Sequence, residues 1–225
     1  MLHRFILSAC VSVFFVALTG CGMFNGSPTV LSSADAARIA SSGSSSYMRK
    51  MAKMPFAPAA PSKRVRNDVA RGNLDRHGMP VYKISERHRY VRTTAYTSRE
   101  SDHLQYGAMN AAGTPLRFTR RVRSAAADWS VYPVGTVFKI KGLPYLYVVD
   151  DYGSALVGTH TVDLYMPNHA WMRAWGMRKV EVSVVKWGSF ERSLQLLSKR
   201  TRHPQCRRMY ASILRRFPNL AVAAR

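Results

Sequence analysis

The sequence has few acidic residues and few cysteines for its length. Among its 225 residues, 12 Asp and Glu stand against 34 Lys and Arg, which gives a formal net charge of +22. Such a charge favours an anionic partner, whether nucleic acid, lipid headgroups or an anionic polymer, and does not choose among them. Hydrophobic residues make up 47% of the chain, which excludes a wholly disordered protein because a packed core is possible.

The N-terminus lacks an apolar run long enough for a comfortable transmembrane helix. Arg4 precedes a mostly apolar stretch from Phe5 to Leu18, whose length is typical of the core of a signal peptide. This stretch runs into Leu18-Thr19-Gly20-Cys21, which resembles the lipobox of bacterial lipoproteins. The resemblance implies a signal peptide over residues 1–20 and a lipid on Cys21. Because Gly22 follows the cysteine, we expect an anchor in the outer membrane, facing the periplasm, and export makes nucleic acid an unsuitable partner.

The cysteine count agrees with an exported lipoprotein. Cys10 lies in the signal peptide and Cys21 is used by the lipid, so only Cys206 remains and no intrachain disulfide is possible. We expect Cys206 to be a buried or inert thiol. The histidines match no zinc-ligand spacing, and we expect no metal and no cofactor. The histidines considered were His103, His160 and His169.

Three regions follow the signal peptide. Residues 21–80 predict a flexible, disordered tether, because they contain a Ser/Gly run at 41–46 and several prolines. Residues 81–190 predict a small, mainly β barrel with one short helix, because short β-branched and aromatic runs alternate with Gly and Pro turns. Residues 191–225 predict a basic helical tail that either packs on the barrel or lies on an anionic surface. The predicted strands are 90–97, 122–127, 136–140, 145–150, 161–165 and 179–187, and the predicted helix is 167–175.

The few acids are concentrated in the predicted barrel. Of the 12, four lie at the end of a predicted strand or inside one: Asp128, Asp150, Asp151 and Asp163. Functional carboxylates act as acids, bases, metal ligands or hydrogen-bond acceptors, and structural ones cap turns. Their placement alone therefore leaves both a chemical and a structural role open.

An ordered set of short motifs surrounds these acids. The motifs are Thr94-Ala95-Tyr96, Ser124-Ala125-Ala126-Ala127-Asp128, Tyr132-Pro133-Val134-Gly135-Thr136, Asp150-Asp151-Tyr152-Gly153, Gly158, Asp163-Leu164-Tyr165 and Trp175-Gly176-Met177-Arg178. Their order and spacing over residues 88–188 resemble the 3D domain family, which is named for three aspartates. The family includes membrane-bound lytic transglycosylase A and small wall-lytic enzymes. The resemblance implies a six-stranded double-psi β-barrel.

The resemblance also assigns the site. It places the three aspartates at Asp128, Asp151 and Asp163, with Asp151 as general acid and base and the other two as residues that position it or bind sugar hydroxyls. The substrate-binding residues that it implies are Thr94, Tyr96, Trp129, Tyr152, Gly153 and Tyr165. For each aromatic ring the alternative is packing in the core or at the rim, and for Gly153 it is a turn.

The implied reaction is cleavage of the β-1,4 bond between N-acetylmuramic acid and N-acetylglucosamine in peptidoglycan, with a 1,6-anhydro product. One carboxyl group is enough, because the C6 hydroxyl of the substrate replaces the second carboxylate of an ordinary glycosidase. The large second domain of the transglycosylase is absent, so we expect no deep two-domain substrate groove. The alternative is a non-catalytic envelope lipoprotein that binds peptidoglycan or another polysaccharide. The basic tail offers a further contact with anionic lipid or lipopolysaccharide.

Overall fold

The computed structural model describes residues 57–101 and 104–221. The predicted signal peptide, the lipidation residue Cys21 and His103 lie outside the described residues. Six strands form a closed barrel in the order β1-β5-β2-β4-β3-β6. The strands are β1 (His88–Tyr96), β2 (Val122–Ala127), β3 (Val137–Ile140), β4 (Leu146–Asp151), β5 (Val162–Tyr165) and β6 (Arg178–Lys186). Parallel pairing joins β1 to β5 and β2 to β4, and the remaining pairs are antiparallel.

Four α-helices accompany the barrel in the described part of the chain. They are α1 (Lys63–Asn67), α2 (His169–Trp175), α3 (Phe190–Ser198) and α4 (Pro204–Arg216). The amide of Asn168 caps α2 by accepting from the Trp171 amide, and Gly176 ends that helix at a positive φ of 62°. The predicted mainly β fold, a six-stranded barrel with a short helix, is confirmed.

Side-chain alternation explains how the strands build the core. In β6 the valines at 180, 182 and 184 are buried, whereas Glu181 and Ser183 between them are not. This period of two sends one face of the strand inward and the other to solvent. β2 differs, because Ala125, Ala126 and Ala127 are all buried. Only small side chains leave room for the carboxylates that adjoin this strand, as described below.

Residues 57–80 pack on the barrel, which corrects the prediction of a flexible tether up to residue 80. Val65 of α1 and Met79 are buried. The carboxylate of Asp75 accepts a hydrogen bond from the His160 amide at 2.7 Å, just before β5. The Ala59 amide donates to the Lys141 carbonyl at 2.9 Å. The prolines of this segment favour extended chain, whereas the segment forms the short helix α1 and docks against the barrel.

The two C-terminal helices also pack against the barrel, which decides between the alternatives left open for the tail. Leu194 and Leu197 of α3 are fully buried, and so are Cys206, Met209 and Ile213 of α4. The Ser193 hydroxyl accepts a hydrogen bond from the Val134 amide at 3.0 Å, which ties α3 to the loop after β2. No helix in the described part of the chain is long and apolar enough to cross a membrane.

Candidate active site

A row of paired residues across four neighbouring strands forms the floor of the candidate site. Thr94 of β1 pairs with Asp163 of β5. Ala126 of β2 pairs with Asp163 on one side and with Asp151 of β4 on the other. Paired residues on adjacent strands project to the same face of a sheet. The two carboxylates therefore flank Ala126, whose methyl group leaves space between them. This position accounts for the small residue in the Ser-Ala-Ala-Ala-Asp motif.

A β-bulge brings a further carboxylate, that of Asp150, to the row. The register between β2 and β4 passes from Ala125 opposite Val149 to Ala126 opposite Asp151, so Asp150 is the extra residue. In a regular strand, Asp150 and Asp151 would point to opposite faces, whereas a bulge re-aims a side chain. The hydroxyl of Ser124 donates to Asp150 Oδ2 at 2.8 Å, and Asp150 Oδ1 is buried without a hydrogen-bond partner in the described structure.

Three donors fix the orientation of the Asp151 carboxylate. The Tyr96 hydroxyl donates to Oδ2 at 3.1 Å, while the amides of Ala111 and Tyr152 donate to Oδ1 at 3.1 and 2.9 Å. The Asp151 carbonyl accepts from the indole nitrogen of Trp129 at 2.9 Å. The side chain and the backbone of Asp151 are thus both held, and the residue still lines an open cleft.

Burial and mutual repulsion disfavour ionisation of the neighbouring carboxyl groups. Burial raises the pKa of Asp150 to about 6, and the nearby charge of Asp151 adds to the rise. Burial likewise raises the pKa of Asp163 to about 6, with smaller contributions from Glu100 and Asp151, although the Thr94 hydroxyl donates to Asp163 at 2.7 Å. Burial and then the charges of Asp151, Asp150 and Asp163 raise the pKa of Tyr96 well above its usual value, so its hydroxyl stays protonated and remains a donor.

Asp128 has a different environment from the other two motif aspartates. It is 1% exposed, and its carboxylate accepts from the amide and hydroxyl of Ser130 and from the amide of Gly158. Burial raises its pKa, and these bonds oppose the rise. The carboxylate is therefore buried in the protein and joins two loops. It adjoins Trp129, whose indole nitrogen donates to the Asp151 carbonyl.

The aromatic residues implied by the resemblance separate into buried and accessible ones. Trp129 is fully buried, with its ring 5.0 Å from that of Tyr152, so the prediction that it stacks on a sugar is wrong. Tyr165 is 9% exposed and packs against Tyr96, with their ring centroids 5.7 Å apart. Tyr152 and Gly153 are half-buried and line the cleft.

The cleft beside Asp151 has a volume of about 550 Å³. One wall comes from the loop between β1 and β2, and another from the turn between α3 and α4. The first wall includes Tyr106, which is 56% exposed. The lining residues are Gln105, Tyr106, Met109, Asn110, Ala111, Asp151, Tyr152, Gly153, Ser154, Arg200, Arg202, His203 and Gln205. The sequence reasoning missed both walls, because long-range packing brings them to Asp151.

His160, the histidine closest in sequence to Asp163, lies in a buried aromatic cluster. Its ring is 6.3 Å from that of Tyr82 and 6.4 Å from that of Tyr132. Burial lowers its pKa to about 4, and the Arg89 charge contributes. Within residues 57–101 and 104–221, no three His, Cys, Asp or Glu side chains are grouped so that they could hold a metal ion.

A comparison with protein families addresses the barrel directly. The family model of the 3D domain matches residues 123–186, which run from β2 to the end of β6. The chain carries a 3D domain. The match includes Asp128, Asp151 and Asp163, and the family is linked to barrel proteins that act on peptidoglycan. No curated protein matches the chain.

Proposed function

We propose that the protein is a lipid-anchored lytic transglycosylase-like enzyme that cleaves peptidoglycan glycan strands. One observation carries the proposal. Asp151 of the 3D domain lines a cleft with its carboxylate oriented by Tyr96 and Ala111, and two further carboxyl groups stand beside it. A cleft of about 550 Å³ is in the size range of pockets that bind small molecules and sugar units.

The chemistry needs one carboxyl group that gives and then takes a proton. Protonated Asp151 donates its proton to the glycosidic oxygen as the bond from that oxygen to C1 of N-acetylmuramic acid breaks. The C6 hydroxyl oxygen of the same sugar then bonds to C1, and its proton returns to the Asp151 carboxylate. The products are a 1,6-anhydro end and a strand with a free 4-hydroxyl group, and no water is consumed.

The surrounding groups suit this cycle. The charge of Asp151 contributes to the raised pKa of both Asp150 and Asp163, so the three carboxyl groups form one electrostatically linked cluster. The Tyr96 hydroxyl keeps the Asp151 oxygen that it contacts in a fixed direction throughout. We assign Asp163 and Thr94 to sugar hydroxyls, and we assign sugar stacking to Tyr106 and Tyr152 in place of Trp129.

We also propose that a lipid on Cys21 anchors the protein to the outer membrane, facing the periplasm. The tether outside the described residues then carries the barrel to the cell wall. Metabolic labelling with an alkyne fatty acid tests this: wild type should incorporate the label, and Cys21→Ala should not. Label retained in Cys21→Ala would contradict the assignment.

The test of activity uses the full chain, purified in detergent, and isolated sacculi. Wild type should release soluble 1,6-anhydro muropeptides detected by mass spectrometry, and Asp151→Asn should release none. Glu86→Gln, at an exposed acid, is the matched control and should behave as wild type. Cleavage by Asp151→Asn would refute the assignment of the acid.

The second candidate function is a non-catalytic lipoprotein that binds peptidoglycan or another polysaccharide. The charge favours it, because a single ion pair, Lys141 with Glu181, occurs within residues 57–101 and 104–221 and leaves many cations for an anionic polymer or lipid. Wild type that sediments with sacculi and releases nothing from them would support this function and exclude the enzyme.

A further inference from the structure

The turn between α3 and α4 supplies positive charge to the cleft that Asp151 lines. Arg200, Arg202 and His203 line the cleft, and Asp151 is the one acid among the described lining residues. The single ion pair of the described residues lies elsewhere, between Lys141 and Glu181. Neither arginine of the turn is therefore paired with a carboxylate from that part of the chain.

Packing fixes the position of this turn. Fully buried residues stand on both sides of it, Leu197 at the end of α3 and Cys206 at the start of α4. Arg200 donates to the Ala111 carbonyl at 2.7 Å, and the Ala111 amide donates to Asp151 at 3.1 Å. One residue, Ala111, thus connects the cationic turn to the candidate catalytic carboxylate.

The two arginines have different tasks in this arrangement. Arg200 is half-buried and committed to the carbonyl that it contacts, so it holds the cleft wall. Arg202 is exposed, and its Nε lies 3.2 Å from His203 Nε2. A planar guanidinium offers a fork of donors that matches a carboxylate. Arg202 is therefore the residue of this wall that is placed to receive an anionic group from a ligand.

The remaining lining residues suit a sugar. Tyr106 and Met109 are exposed apolar side chains at the other wall, and Asn110 and Gln205 carry amides. A neutral β-1,4 glycan has no group that uses the positive charge of the turn. A glycan that carries short peptides with free carboxylates has such groups beside the sugar chain.

We infer that the cationic turn recognises a carboxylate of a peptide substituent, so that the cleft takes peptide-bearing glycan rather than an uncharged glycan. This inference rests on the proposed function, which gives the identity of the polymer. It adds that the cationic turn binds the peptide part of that polymer. The wall belongs to α3 and α4, which lie outside the residues matched by the family model.

The test measures binding, so that it stays separate from catalysis. The full chain with Asp151→Asn is titrated with isolated disaccharide-peptide muropeptides and with a peptide-free chitooligosaccharide. The first should bind about tenfold more tightly, because one charge-assisted hydrogen bond contributes on that scale. Adding Arg202→Ala should remove the preference, and Arg202→Lys should restore part of it. Arg207→Ala is the matched control, an exposed arginine of α4 away from the cleft, and should keep the preference.

Equal affinity for the two ligands, or a preference that survives Arg202→Ala, would overturn the inference. Either result leaves the proposed enzyme untouched, because its readout is the release of anhydro products by the protein with Asp151 intact. Conversely, a preference lost in Arg202→Ala together with a wild type that releases nothing would support the binding wall and exclude the enzyme.

Discussion

At the scale of residues, the few acids of the barrel include a cluster of buried carboxyl groups, where ionisation is unfavourable. Of its 12 acids, Asp150, Asp151 and Asp163 adjoin one tyrosine, Tyr96, and the pKa of that tyrosine responds to all three. Buried carboxyl groups that repel one another resist ionisation and so favour the protonated form. A general acid must be protonated near neutral pH. The fourth of these acids, Asp128, joins two loops by accepting three hydrogen bonds from Ser130 and Gly158.

The raised pKa of Asp150 predicts a pH-dependent cost to stability. Its pKa is near 3.8 in the unfolded chain and about 6 in the folded one, so the folded state holds a proton that the unfolded state releases between these values. Ionisation of Asp150 therefore lowers the stability of wild type as pH rises through that window, and Asp150→Asn lacks this contribution. Relative to wild type, the variant should gain about 2 to 3 kcal/mol in free energy of unfolding between pH ~4 and pH ~7.

Urea titrations of both proteins across this pH range measure the gain. The comparison with wild type removes the contributions of other groups, such as His160, which both proteins share. Glu86→Gln is the control and should show no such pH-dependent difference. A difference between Asp150→Asn and wild type that stays constant with pH would show that Asp150 ionises as freely in the folded protein as in the unfolded chain.

At the scale of elements, sequence patterns predict most of the barrel and little of the cleft. The alternating valines of β6, the hairpin of β3 and β4, and the capped helix α2 are all local features, and each is confirmed. The packing of residues 57–80 on the barrel is not predicted, because a Pro- and Ala-containing composition does not distinguish a free segment from a docked one.

The site itself divides in the same way. The motifs identify Asp151, Asp163, Thr94 and Tyr96, whose pairing or hydrogen bonding the structure provides. The bulge at Asp150 arises from strand register, and the cleft walls arise from contacts between distant segments, and neither has a local sequence signature. The sugar-stacking role assigned to Trp129 is wrong, because the sequence around a tryptophan beside an aspartate does not show whether its ring faces a ligand or the core.

Helix α3 is predicted to be an integral part of the fold. Leu194 is fully buried, so Leu194→Ala should lower the free energy of unfolding by about 2 to 5 kcal/mol through lost contacts and a cavity. The neighbouring Gln195→Ala is the matched control, because this side chain is exposed and its loss should change stability by less than about 0.5 kcal/mol. Chemical denaturation measures both, and equal effects of the two changes would mean that α3 is not packed as described.

At the scale of the whole molecule, a net charge of +22 coexists with a cluster of carboxyl groups in the barrel, and we assign different roles to the two. We propose that the excess cations attract the protein to an anionic polymer or lipid, while the acids of the barrel perform the reaction. Attraction between exposed charges weakens when salt shortens the Debye length, from about 10 Å at 0.1 M to about 3 Å at 1 M.

Sedimentation of the full-length protein with sacculi should therefore fall steeply over that range of salt. Chitin, which is uncharged, is the control polymer and should retain whatever it binds. Asp151→Asn should follow the wild-type salt curve, because binding through the cations does not need the acid. Retention on sacculi that is independent of salt would contradict an electrostatic attachment.

The proposed reaction at Asp151 cleaves the glycan without using water. The oxygen at C1 of the sugar end that cleavage forms should therefore come from the substrate and not from water. Sacculi are digested by wild type in water enriched in oxygen-18, and the released muropeptides are weighed by mass spectrometry. Attack by the C6 hydroxyl predicts 1,6-anhydro ends that contain no oxygen-18. New reducing ends formed in place of 1,6-anhydro ends would show hydrolysis and rule out this mechanism.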